Sequence, residues 1–316
     1  MKLLRYSFYL LSLGVISFSL TTCKKEASEQ EIREAVIKTL LRDINADSIK
    51  NDVVWLQNMG ARFSLANNHS NIALKIKKKF QDLGYTNAVL DSFNVVKTFR
   101  SILYEQMNYN VIASIEGTDY PDSACIMGAH YDDILSASDL TVVPGANDNA
   151  SGTSAVIEVA RVMKKNKYKP KSTIIFIAFG AEEIGLLGSR DFAGYPNGFS
   201  GKVRFMLNSD MIAYETSSTS SDWFVNIMDY NNSHSLRHEA EEICDKYTLL
   251  NYTNDNTYNK QSDSYPFFTN GYKALFFFSG DPDPNYHTLN DLVSNCNFGY
   301  CTEVVKLQCA LLANKN

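Results

Sequence analysis

An α/β architecture with a central, largely parallel sheet is the fold class this chain predicts. Three observations carry it. Six apolar segments read as strands, stretches of helical spacing alternate with them, and several strands are almost continuously apolar, as strands covered on both faces are. The 316 residues are 45% hydrophobic and 21% charged, with a net charge of −5, the composition of an ordinary globular protein. That mild acidic balance gives no basic footprint for nucleic acid, and this partner class is excluded.

The chain opens differently from the rest. Residues 1–9 carry Lys2 and Arg5, residues 10–20 are apolar, and Thr21-Thr22-Cys23 follows. A basic start, a short apolar run and a small-residue zone describe an export signal, too short for a comfortable membrane span. Leu-Thr-Thr-Cys resembles a bacterial lipobox, with Thr22 where Gly, Ala or Ser is usual. The expectation is a signal peptide over 1–22, a lipidated Cys23 heading a polar tether over 23–30, and a single domain over 31–316. The alternative is a plain secretory signal with an incidental cysteine. A lipid anchor would hold the protein in the cell envelope, on a bacterial membrane it does not cross, as a monomer.

Along the remainder, 31–58 and 68–84 have helical spacing of apolar positions, the second stopping at Gly84. The strand segments are YNVIASIEG (109–117), ACIMGAH (124–130), STIIFIAFG (172–180), RFMLNSDMIAY (204–214), DWFVNIMDY (222–230) and KALFFFSG (273–280). Helices are expected between and after them at about 150–167, 182–193, 234–247 and 298–313. Five further cysteines, Cys125, Cys244, Cys296, Cys301 and Cys309, form no C-x-x-C pair, which argues against a cysteine zinc site. Export permits disulfides, and Cys296 and Cys301, flanking a turn-like NFGY, are candidates for one.

In open α/β sheets ligands collect beyond the carboxyl ends of the strands. His130 and Asp132 follow one strand, Glu182 and Glu183 another. Asp210 closes RFMLNS, and His287 follows KALFFFSG and its DPDPN turn. Asp148 sits in PGANDNASG, a turn-forming stretch at the mouth of a helix. Singly, each has a plain explanation: a surface histidine, or acids at a helix start where the macrodipole favours them. Together, two imidazoles and several carboxylates on one rim form a divalent-metal set, and mixed nitrogen and oxygen donors suit zinc. His130, Asp148, Glu183, Asp210 and His287 are more groups than one tetrahedral ion needs. Two ions are therefore expected, with Asp148 bridging because the tight turn can aim its two oxygens at both.

GAHYDD, PGANDNASG, AFGAEEIGLLGS, LNSDM and YHTLND, in that order, resemble zinc metallopeptidase family 28, the bacterial leucyl aminopeptidase group, over roughly residues 50–313. The resemblance implies a three-layer α/β/α sandwich with a mixed sheet of about eight strands, and zinc-dependent removal of N-terminal residues from peptides with a free amino terminus. It places His130 and Asp210 on one zinc, Glu183 and His287 on the other, and Asp148 between them. Glu182 matches the general base. Asp132 matches an acid that orients His130, and Asp291 is expected to serve His287 likewise. Relatives carry a cis peptide after the bridging aspartate, so Asp148–Asn149 is expected to be cis. Met211, Phe276 and Phe278 match a hydrophobic side-chain pocket, or are simply core. Where relatives often read Ser-Asp-His, this chain has Ser262-Asp263-Ser264, and no role is carried onto Asp263.

Two other readings remain. Glutaminyl cyclases share this scaffold with a single zinc, but usually place Trp before the last histidine, where this chain has Tyr286, and an acid where it has Gly180. A non-catalytic, lipid-anchored binding protein would be expected to have lost ligands, and all five are here with Glu182.

Overall fold

The computed structural model describes residues 28–194 and 201–316. The expected signal peptide, Cys23 and most of the tether lie outside the described residues.

Eight strands form one mixed sheet: β1 (Val89–Phe99), β2 (Ile102–Ile115), β3 (Tyr120–His130), β4 (Ser172–Phe179), β5 (Lys202–Ser209), β6 (Phe224–Met228), β7 (Asn251–Thr253) and β8 (Lys273–Ser279). Their spatial order is β1-β2-β4-β3-β5-β8-β6-β7. The central run β4-β3-β5-β8 is parallel, while β2 joins β4, and β6 joins β8, antiparallel. The order leaves the carboxyl ends of the four central strands side by side.

Alternation within the strands builds the layers. In β4, Ile174, Phe176 and Ala178 enter the larger core, while Ile175, Ile177 and Phe179 enter a second one. The larger core is closed by helices α1 (Glu29–Asp43), α2 (Ala46–Gln57), α3 (His69–Asp82), α4 (Gly152–Lys165), α6 (His234–Tyr247) and α8 (Phe298–Asn314). The second is closed by α5 (Leu187–Gly194) and α7 (Ser264–Thr269), through Phe192 and Phe267. Two covered faces explain why these strands are apolar without interruption. The result is the expected three-layer sandwich.

Several local details differ from expectation. The helical stretch 31–58 is two helices. The Asn45 side chain accepts from the backbone N–H of Asp47 and Ser48 and starts α2 afresh, as a capping asparagine does. The β1–β2 hairpin was not expected at all. Its two-residue turn, Arg100-Ser101, has positive φ at both positions, where Asn-Gly is the usual signal. Arg100 offsets the unsuited turn by donating to the carbonyls of Leu135, Ala137 and Ser138. The helix expected at 182–193 begins only at Leu187, and β5 ends before Asp210. No bridge joins Cys296 and Cys301: all five described cysteines are free, and Cys301 points into the core from the first turn of α8.

Candidate active site

The turn around Asp148 is built from the backbone outward. Gly145 has φ 50°, and a Cβ there would lie 2.5 Å from Arg62 Nη2, so only glycine fits. Asp148 and Asn149 leave the helical region, and the peptide between them is cis. Both Asp291 oxygens accept from this turn, one from Asn147 N–H at 2.6 Å and one from Asp148 N–H at 2.9 Å. The Asn149 side chain accepts from Gly152 N–H at 2.8 Å and donates to the Ser209 carbonyl at 2.9 Å. This ties the turn to the end of β5, so closely that a Cβ on Gly152 would sit 2.3 Å from the Ser209 oxygen. Asp148 is thereby a side chain on a pinned backbone.

Around it the rim residues converge. His130 Nε2 lies 3.4 Å from Asp148 Oδ1 and 3.3 Å from Asp210 Oδ1. His287 Nε2 lies 3.1 Å from Asp148 Oδ2 and 3.1 Å from Glu183 Oε2. Two donor triplets result, His130–Asp148–Asp210 and Asp148–Glu183–His287, each with its ligating atoms within 4.8 Å of one another. Asp148 belongs to both, offering a different oxygen to each histidine. Glu182 lies beside them and groups with His130 and Glu183.

Electrostatics mark how crowded this is. Burial, and then repulsion from Asp148, push the Glu183 carboxyl up to about 8 against the pull of His287. Burial works against a charged His287, but Asp148 and Glu183 outweigh it and raise the imidazole to about 10. Asp148 is held below the usual carboxylate range, because the two imidazoles overcome its burial. Burial raises Asp210 despite His130. Glu183 Oε1 and His287 Nε2 are buried with no hydrogen-bond partner, although His287 Nε2 is only 3.1 Å from two carboxylates. Such donors face common points rather than each other. Buried groups of this kind are normally paired or bound to a metal, so the set fits divalent cations, and its N/O character suits zinc.

One expected role needs correcting, and another is shared. Asp291 does not orient His287, since its oxygens are taken by the Asn147 and Asp148 N–H groups. Asp132 meets His130 mainly through its main chain: its carbonyl is 3.1 Å from Nδ1, its nearest carboxylate oxygen 3.7 Å. The Asp132 carboxylate also accepts from Glu182 N–H, Glu183 N–H and the Ser64 hydroxyl. Backbone N–H groups draw on both carboxylates because buried loops must satisfy theirs.

Met211, Phe276 and Phe278 line a cavity of about 390 Å³ that opens on His130, Asp148 and Glu183. Asp263 is buried with both carboxylate oxygens unpartnered. Sequence reasoning missed Arg62 and Asp133. Arg62 is fully buried, 3.1 Å from Asp133, and donates to the carbonyls of Tyr131, Pro144 and Gly145. The only clue was an arginine between apolar neighbours in GARFSL, and arginines are seldom fully buried unless paired. Tyr286 stacks on His287 with centroids 3.7 Å apart.

Comparison with known proteins agrees with this geometry. A probable zinc metalloprotease of Leptosphaeria maculans is 32% identical over 196 residues, 58% of this chain and 45% of its own. An aminopeptidase of Bacillus subtilis is 36% identical over 188 residues, 56% of this chain and 37% of its own. This chain thus spans less than half the length of these curated relatives. Among solved structures, the LapA aminopeptidase of Legionella pneumophila shares the fold with TM-score 0.74 at 24% identity, covering 88% of this chain and 74% of that one. A glutaminyl cyclase of Bacteroides thetaiotaomicron shares it too, with TM-score 0.69 at 18% identity, over 87% of this chain and 99% of that one. The model of peptidase family M28 matches residues 110–312. The chain belongs to peptidase family M28.

Proposed function

We propose that this protein is a zinc-dependent aminopeptidase that binds two zinc ions and removes N-terminal residues from peptides. The observation that carries the reading is the pair of donor triplets sharing Asp148. Zinc bound there would polarise a peptide carbonyl and make hydroxide available near neutral pH. The chain's own residues do the rest. His130 and Asp210 form one arm of the cradle, Glu183 and His287 the other, and the pinned turn sets Asp148 between them. Glu182 is half-buried, and desolvation raises its carboxyl well above the usual range, with His130 opposing and Glu183, Asp263 and Asp210 reinforcing. Set beside His130 and Glu183, its carboxylate is placed to take a proton from the attacking water and return it to the leaving amine. Carboxylates around the cavity would hold the substrate's free α-ammonium group, which makes an exopeptidase of the site.

Two measurements test this. Zinc per chain should be two, whereas one would favour the glutaminyl cyclase reading and none a non-catalytic binding protein. Glu182→Gln should retain zinc and lose about 10²–10⁴-fold in turnover of an aminoacyl p-nitroanilide. Parental turnover in that variant would remove Glu182 as the base.

We propose further that residues 1–22 direct export and that Cys23 carries a lipid anchor, supported by the order of basic, apolar and small residues. The domain from residue 31 would then work as a tethered monomer in the cell envelope. Cys23→Ser should abolish labelling by a palmitate analogue in cells and release the protein from the membrane fraction. Unchanged labelling would refute the anchor.

A further inference from the structure

The cavity beside the candidate metal centre holds more negative charge than two dications would balance. Asp148, Glu182, Glu183 and Asp210 are four carboxylates and match two dications. Asp255, Asp281 and Asp283 line the same cavity in addition, and among the described residues no lysine or arginine does. The hydrogen-bond partners of these three acids are neutral. Asp255 Oδ1 accepts from the N–H and hydroxyl of Thr257, Asp281 Oδ2 from the Thr216 hydroxyl, and Asp283 from Asn147 Nδ2 and Asn285 N–H. Glu183 Oε1, buried without any partner, lines the cavity as well.

Asp255 is also fixed in place. Asn226, buried on β6, donates from Nδ2 to the Asp255 carbonyl at 2.9 Å and accepts the Asp255 N–H at 2.9 Å. The same cavity has an apolar floor in Met211, Phe276 and Phe278, the two rings packed edge to face with centroids 5.5 Å apart. An apolar floor alone would suit a leucine side chain. An apolar floor with carboxylates beyond it suits a side chain with a hydrocarbon stem and a cationic head. A cleft lined by one sign of charge also raises the local concentration of the opposite sign.

We propose that the cavity selects peptides whose N-terminal residue is lysine or arginine, with Asp255 and Asp281 as the specificity-determining carboxylates. The inference rests on the aminopeptidase reading. It implies that N-terminal glutamate and aspartate are the poorest substrates. It also implies that the preference weakens with salt, because exposed carboxylates are screened over a Debye length of about 8 Å at physiological ionic strength.

The test uses the zinc-loaded full chain and two p-nitroanilides that differ by one ammonium group, L-lysyl and L-norleucyl. The lysyl substrate should have the higher kcat/KM by about tenfold at low salt. Asp255→Asn and Asp281→Asn should each lower the lysyl-to-norleucyl ratio several-fold, a change that a general loss of folding would not produce. Calorimetric binding of lysinamide against norleucinamide should show the same order, narrowing as salt rises. Equal or better use of the norleucyl substrate, or a ratio unmoved in both variants, overturns the specificity and leaves the aminopeptidase reading standing. Failure to hydrolyse any aminoacyl p-nitroanilide overturns both.

Discussion

Asp132 and Asp291 act on the site through backbone N–H groups, and Asp132 touches the His130 imidazole as well. Each is buried, and each accepts two N–H groups from a segment carrying candidate ligands: Glu182 and Glu183 for Asp132, Asn147 and Asp148 for Asp291. A carboxylate suits this better than an amide, because both of its oxygens accept. Asp132→Ala should therefore misplace Glu182 and Glu183 while leaving the sheet intact. Groups that support metal ligands typically contribute 10–100-fold to metal affinity or activity, and a loss of about that size is expected here. Zinc titration and turnover measure it, with circular dichroism as the control for folding. Unaltered zinc affinity and turnover would mean that the 182–183 segment holds its shape without the carboxylate.

At the scale of an element, the turn 144–152 depends on partners distant in the chain. Arg62 donates to the Pro144 and Gly145 carbonyls just before Asp148, and its charge is met inside the protein by Asp133. Burial pushes Asp133 up to about 7 even with Arg62 beside it, so the acid depends on the guanidinium to stay ionised. Removing one partner of a buried ion pair leaves the other uncompensated and costs about 3–5 kcal/mol. Arg62→Met is expected to destabilise the fold by about that amount in urea unfolding. Arg62→Met combined with Asp133→Leu should recover part of the loss, since replacing both partners by apolar groups is often neutral. A double variant no more stable than the single one would show that Arg62 matters for the carbonyls it holds, not for its charge.

For the whole molecule, the strand order decides that there is a site at all. His130 ends β3, and Asp210 and the loops bearing Glu183 and His287 follow β5, β4 and β8, four strands adjacent in the sheet. Carboxylates gathered there repel one another, and zinc binding only the folded state would stabilise it. Saturation at about a thousand times Kd contributes about 4 kcal/mol. For a domain of this size each kcal/mol moves Tm by somewhat under about 2 °C. Stripping zinc with a chelator is therefore expected to lower Tm by roughly 7 °C and abolish turnover, with both restored by added zinc. Calorimetric scans of the two forms check it, and superimposable scans would count against tightly held metal.

The sequence by itself determined the layer architecture and pointed to the candidate ligands that the structure brings together. Unbroken apolar runs such as STIIFIAF are stable only between two covering layers. A polar residue just past such a run has one place to go, the rim of the sheet. The ordered motifs from GAHYDD to YHTLND made the family legible, down to the cis Asp148–Asn149 bond. The tertiary structure alone decided what each supporting residue holds. Asp291 turned to backbone N–H groups, and Asp132 is shared between them and His130, because loops closing over a buried site need acceptors. Arg62 became a core residue because Asp133 and three carbonyls met it there. The Arg100-Ser101 hairpin exists because distant carbonyls offset a turn its own residues disfavour. Periodicity along a chain reports which face a residue takes, but partners separated by dozens of residues are chosen only when the layers close.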